Sequence, residues 1–177
     1  KKIEGNYRNG EHTGIWTSWD SSGVETSAYG WLQKGNDAVE NEEYDKAISF
    51  YLRSIELNPD YASAYYNLGN AHYNQGNLTK AIQLYEKAIE IDPDDADAYY
   101  NLGNAYEKQG NTTKAIESYD KAIELKPDDA LAYYNLGNAY RKQGNYIKAI
   151  ESYEKAIELK PDYADAYYNL GNAYGIQ

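Results

Sequence analysis

Residues 98–106 read AYYNLGNAY, and the string returns with few changes from Ala64, Ala132 and Ala166, so its copies lie 34 residues apart. The punctuation keeps the same step. Pro59, Pro93, Pro127 and Pro161 follow it, as do Gly35, Gly69, Gly103, Gly137 and Gly171. Residues that constrain or free the backbone do not recur at one fixed interval by chance, and a period of this length marks a stack of supersecondary units. Counting from Ala28 gives units at 28–61, 62–95, 96–129 and 130–163, followed by the opening of a fifth at 164–177.

Each unit carries two helical patterns split by a glycine turn. In the second, Tyr65, Leu68, Gly69 and His72 occupy one face of a first helix, with Asp60 as its expected N-cap. Gly76 suits a left-handed helix end and Asn77 suits the cap of a second helix, whose apolar face is Ala81, Leu84, Tyr85, Ala88 and Ile91 before Pro93. Small residues recur where two packed helices come close, at Gly69, Gly103 and Gly137 in the first helix and Ala81, Ala115 and Ala149 in the second. The expected unit is an antiparallel helix pair.

Tyr99-x2-Leu102-Gly103-x2-Tyr106, then Ala115-x3-Tyr119, then Pro127 resembles the tetratricopeptide repeat (TPR), with tyrosine in place of the family's tryptophan and phenylalanine. The first unit departs most, carrying Trp31, Lys34 and Asp37 where later units have Tyr, Leu and Ala. The resemblance implies an all-α fold, a right-handed superhelix of helix pairs, whose concave wall of first helices receives a peptide.

Helical spacing independently gives the first helix a second face. Tyr66, Tyr100, Tyr134 and Tyr168 form one row; Asn67, Asn101, Asn135 and Asn169 a second; Asn70, Asn104, Asn138 and Asn172 a third. An amide both donates and accepts, so such rows suit the backbone of an extended peptide, and tyrosine adds flat contact area. The alternative role for these residues is hydrogen bonding between neighbouring first helices. Selectivity is expected where copies differ, at Ser63, Asp97, Leu131 and Asp165 and at Tyr73, Glu107 and Arg141. Lys108, Arg141 and Lys142 make the third and fourth units locally cationic, which favours a negative peptide end or is simply helix-end charge. The carboxylate clamp of some TPR domains is not matched: its lysine positions hold Leu32, Tyr66 or Tyr100 and Asp97, Leu131 or Asp165, and its arginine position Asn101, Asn135 or Asn169.

Residues 1–26 break the pattern. Gly5, Tyr7, Asn9, Gly10, Gly14, Trp16, Asp20 and Gly23 resemble a single MORN-like repeat, with turn signals that predict a short β-hairpin and with Trp16 and Trp19 as packing anchors.

Composition narrows the functional classes. A net charge of −11 argues against general nucleic-acid or anionic-membrane binding. Without cysteine there is no disulfide or thiolate metal site, and His12 and His72 are far apart. The run IDPDDAD at 91–97 lacks the glycine and distal glutamate of a calcium loop. The sequons at Asn77 and Asn111 coincide with helix caps, and no nucleophile, phosphate loop or ligand cluster appears. No enzyme and no cofactor are expected. A chain opening on Lys1 without a signal pattern reads as an excised soluble piece, cytoplasmic by default. Two functions follow: a scaffold that binds a protein or peptide partner, or self-association as a dimer or end-to-end stack through a fifth-unit helix whose Tyr167, Leu170, Gly171 and Tyr174 lack a following helix.

Overall fold

The structure, a computed structural model, describes backbone at residues 3–8, 11–19 and 25–176 and side chains at residues 27–176. Strands β1 (Ile3–Arg8), β2 (Glu11–Trp19) and β3 (Glu25–Ser27) pair antiparallel in the order β1-β2-β3. The MORN-like reading, including Trp16 and Trp19, concerns side chains outside the described residues.

From Ala28 onward the chain is all helix: α1 (Ala28–Glu40), α2 (Tyr44–Leu57), α3 (Ala62–Asn74), α4 (Leu78–Ile91), α5 (Ala96–Gln109), α6 (Thr112–Leu125), α7 (Ala130–Gln143), α8 (Tyr146–Leu159) and α9 (Ala164–Ile176). These elements fall into two compact units, Lys1–Pro93 and Asp94–Gln177. In the first, α1 pairs with α2, α2 packs on α3, and α3 pairs with α4. In the second, α5 pairs with α6, α6 packs on α7, α7 pairs with α8, and α8 packs on α9.

Gly76, Gly110 and Gly144 end α3, α5 and α7 at φ of 80°, 89° and 83°, the left-handed conformation that costs an L side chain about 1–2 kcal/mol. The first pair uses Glu42 there, at φ 59°. Asp95 and Asp129 cap α5 and α7, accepting from the backbone N–H of Ala98 and of Leu131 and Ala132. Asp60 does not cap α3. The cap is Tyr61, one residue later, and the Asp60 backbone N–H instead donates to Asn58 Oδ1. In the third and fourth units the cap is again the equivalent of Tyr61, there an aspartate, so the expected cap lay one residue early in each of them. Asn77, Asn111 and Asn145 all hold the cap positions of the second helices, but only the Asn111 and Asn145 side chains accept the expected backbone bond.

The buried face of α4 is Ala81, Ile82, Leu84, Tyr85 and Ala88. Ile91 is only half-buried, and Ile82 takes a place that periodicity had not assigned. Each fully buried apolar side chain of this size contributes about 1.5–3 kcal/mol. On the first helices Ala64, Leu68 and Ala71, with their copies Ala98, Leu102 and Ala105, are buried, while Tyr65 and Tyr99 are half-buried.

Candidate functional site

The glycine of each first helix lies under a tyrosine ring of the second. A Cβ built on Gly35, Gly69, Gly103 or Gly137 would come within 2.3, 2.7, 2.6 and 2.6 Å of ring carbons of Tyr51, Tyr85, Tyr119 and Tyr153. Only glycine leaves room for rings held that close. The hydroxyl at the far end of each ring then donates to the asparagine that follows the glycine: Tyr51 to Asn36 Oδ1 at 2.9 Å, Tyr85 to Asn70 at 2.7 Å, Tyr119 to Asn104 at 2.8 Å and Tyr153 to Asn138 at 2.8 Å. Burial raises the phenols of Tyr51, Tyr85 and Tyr153, Tyr51 to about 12, so these three stay protonated donors at neutral pH.

Asn70, Asn104 and Asn138 therefore spend their carbonyl oxygens inside the helix pair, a use that facial periodicity cannot reveal. Successive first helices are joined the same way within each unit. Asn67 Nδ2 donates to Asn36 Oδ1 at 3.3 Å in the first. In the second, Asn135 Nδ2 donates to the Tyr100 hydroxyl at 2.8 Å and to Asn104 Oδ1 at 3.3 Å. Asn169 Nδ2 repeats this with the Tyr134 hydroxyl at 3.1 Å and Asn138 Oδ1 at 3.0 Å. Asn101 Oδ1 accepts from Asn104 Nδ2 at 3.3 Å.

An amide has two N–H donors and a carbonyl acceptor. With both donors of Asn135 and Asn169 engaged, their Oδ1 atoms take no hydrogen bond among the described residues, and the same holds for Asn138 Nδ2. All three residues are half-buried, so these atoms face a partly open surface. The α7–α9 face thus presents acceptor, donor and acceptor groups on amides fixed from behind.

Aromatic rings border this face. Tyr66, Tyr100 and Tyr134 are half-buried and tilt against Tyr85, Tyr119 and Tyr153 at 6.1, 6.0 and 6.0 Å between centroids. Tyr163, absent from the predicted site, packs on Tyr134 at 4.9 Å. Burial, then the neighbouring Tyr134 and Tyr100, pushes its hydroxyl up to about 12. The signal for it was present in the sequence: Tyr163 replaces the aspartate that caps α5 and α7.

The three predicted cations separate. Lys142 reaches Glu107 Oε1 at 2.8 Å while its side chain stays 51% exposed. Lys108 is exposed. Arg141 is exposed and lies beside the Tyr153 hydroxyl, which it helps to keep from rising further. Of the four residues expected to self-associate, Leu170 packs on the Ala149, Ile150, Tyr153 and Ala173 cluster instead of lying uncovered. The Tyr174 hydroxyl donates to Glu154 Oε1 at 2.8 Å. Tyr167 is 51% exposed, and a Cβ on Gly171 would meet nothing within 4 Å.

The TPR repeat family model matches residues 35–76, 69–110, 108–144 and 137–177 in overlapping segments. The chain belongs to the TPR repeat family. Its helical part is an all-α TPR solenoid with nine helices among the described residues. A crystal structure of MamA protein is similar at 32% identity and a TM-score of 0.79, covering 84% of this chain and 81% of that one. A crystal structure of YrrB, described as a TPR protein with an unusual peptide-binding site, is similar at 28% identity and a TM-score of 0.75, covering 84% of this chain and 77% of that one. Protein bimA of Emericella nidulans is 39% identical over 51 residues, which is 29% of this chain and 6% of that protein. TPR proteins act as protein-interaction scaffolds. No group of three or more metal-ligating side chains occurs among the described residues of this TPR chain, and none of its described helices is long and apolar enough to cross a membrane.

Proposed function

We propose that the first-helix face of the second unit holds an extended peptide by its backbone. The observation that carries this reading is the pattern left on α7 and α9: acceptor on Asn135, donor on Asn138, acceptor on Asn169, each amide already oriented by bonds behind it. An extended peptide offers N–H and C=O groups in alternation, and amides oriented in advance lose little freedom when they bind it. Tyr134 and Tyr163 supply apolar area beside the amides. Leu131, 46% exposed, and Arg141 stand where the repeats differ and are placed to choose among side chains. In the first unit Asn67, Asn70 and Tyr66 stand at the equivalent positions, with Asn67 donating to Asn36 and Asn70 accepting from Tyr85.

In this reading the interhelical bonds and the peptide site are one device, because the first set the orientation of the second. The experiment is selection of peptides from a displayed random library on the 177-residue chain, followed by affinity measurement against Asn135→Ala. A tenfold or greater loss, with the helical circular dichroism retained, is expected. Unchanged affinity refutes the site. The self-association reading concerns a different flank of α9.

A further inference from the structure

The repeats agree at one position of the first helix and disagree one turn later. Asn36, Asn70, Asn104, Asn138 and Asn172 hold the constant place, and three residues on stand Val39, Tyr73, Glu107, Arg141 and Gly175, no two alike. Seven residues before the asparagine the copies differ again, as Tyr29, Ser63, Asp97, Leu131 and Asp165. Leu131 is the one aliphatic residue in that set, and it is 46% exposed. Helix α7 therefore carries a constant pair of amides between two residues found in no other repeat.

The Arg141 guanidinium donates to the Tyr153 hydroxyl oxygen. That hydroxyl donates in turn to Asn138 Oδ1 at 2.8 Å, so the guanidinium and the Asn138 amide meet at one oxygen. Asn138 Nδ2, which takes no hydrogen bond among the described residues, belongs to the same amide. Arg141 is exposed and pairs with no carboxylate among the described residues. Glu107, its counterpart on α5, is matched by Lys142. A guanidinium N–H beside an amide N–H suits the two oxygens of one carboxylate, and the bond to the charged group is the stronger kind. The net charge of −11 does not decide the sign here, because exposed charges more than about 8 Å away are screened at physiological salt.

We infer that the peptide held by this face carries an aspartate or glutamate, bound by Arg141 and Asn138, directly next to an apolar residue that packs on Leu131. Leu131 and Arg141 are ten residues apart on α7, about 15 Å along the helix axis, with Asn135 and Asn138 between them. A strand gripped by those amides crosses the helix, and successive side chains of an extended strand point to opposite edges. One therefore reaches toward Leu131 and the next toward Arg141. Helical side chains lean toward the N-terminus, which brings the arginine back toward the strand and the Tyr153 hydroxyl.

This inference rests on the backbone capture proposed above, and its test separates the two. A random peptide library is displayed against the 177-residue chain and against Arg141→Glu, and both pools are sequenced. The wild-type chain should enrich an acidic residue beside an apolar one, and the variant should enrich lysine or arginine at the acidic place. A selected acidic peptide should bind Arg141→Glu about tenfold more weakly or worse, and its acid-to-lysine analogue should regain affinity on that variant. Arg141→Gln, milder at a helix end, should also lose the acidic preference, whereas Leu131→Ser should lose only the apolar one. Circular dichroism verifies that each variant keeps its helix. A role for Arg141 confined to the helix end, where its charge suits the dipole, would weaken all peptides alike, and that result overturns the inference. So does a pool without acidic preference, or a preference that Arg141→Glu leaves in place. If Asn135→Ala changes no affinity while the Arg141-dependent preference persists, backbone capture fails and the carboxylate site stands. An empty selection on the wild-type chain overturns both.

Discussion

The Tyr119 ring lies so close to Gly103 that a methyl group on the glycine would stand 2.6 Å from ring carbon Cε1. Tyr119 is 2% exposed and its hydroxyl is held by Asn104, so the ring has little room to yield. Overpacking of this kind costs about 1–3 kcal/mol, whereas replacing glycine by alanine in an open helix gains up to about 1 kcal/mol. Gly103→Ala should therefore lower the stability of the second unit by about 1–2 kcal/mol. Gly171→Ala, with no neighbour to meet, should raise it. Chemical denaturation of the two variants checks the contrast, and equal shifts would show that the ring does not set the glycine requirement.

Tyr119→Phe keeps the ring and removes the donor to Asn104. Asn104 Oδ1 still accepts from Asn135, so the loss should be about 0.5–1.5 kcal/mol. The more telling readout is the amide signal of Asn135, which should shift in a heteronuclear spectrum because Asn104 links the two residues. An unmoved signal would mean that the pairs are independent.

Glu42 occupies at φ 59° the position that Gly76, Gly110 and Gly144 fill in later repeats. Glu42→Gly relieves a strained left-handed residue and should stabilise the first unit by about 1 kcal/mol, read as an increase in denaturation midpoint.

Acid should weaken the first unit through His72. Its Nδ1 is buried without a hydrogen-bond partner among the described residues, and burial, then the Lys80 ammonium, holds its pKa below the ordinary 6.5. A folded pKa below the unfolded one means that the unfolded chain binds more protons in this range. The stability is full above about 6.5 and is lost as pH falls through the lower folded value. His72→Tyr, matching Tyr106 and Tyr140, should flatten the stability profile between pH 7 and 5, roughly the range over which such an imidazole titrates. A slope unchanged by the substitution would place the acid sensitivity elsewhere.

Much of this arrangement was legible in the repeated string. The period, the helix pair, the left-handed glycines and the close approach at Gly69, Gly103 and Gly137 follow from local backbone rules and from spacing. The partners of the amides do not. Helical periodicity assigns Asn104 to a face, but the Tyr119 hydroxyl that meets it comes from 15 residues away and the Asn135 amide from 31. For the same reason neither the contact of Lys142 with Glu107 nor the packing of Leu170 against α8 is written in the local pattern. Tyr163 was overlooked because a cap position is scanned for oxygen acceptors, and an aromatic residue there announces packing instead.

The central claim is that oriented amides on α7 and α9 grip a peptide by its backbone. An N-methyl scan of a library-selected peptide, repeated with Asn135→Ala, tests it most directly. N-methylation removes one backbone donor and leaves every side chain in place. The account predicts one or two positions where methylation costs the wild-type chain tenfold or more in affinity, and predicts that Asn135→Ala erases the penalty at one of them. Methylation tolerated throughout, with affinity governed by side-chain substitutions alone, would contradict it.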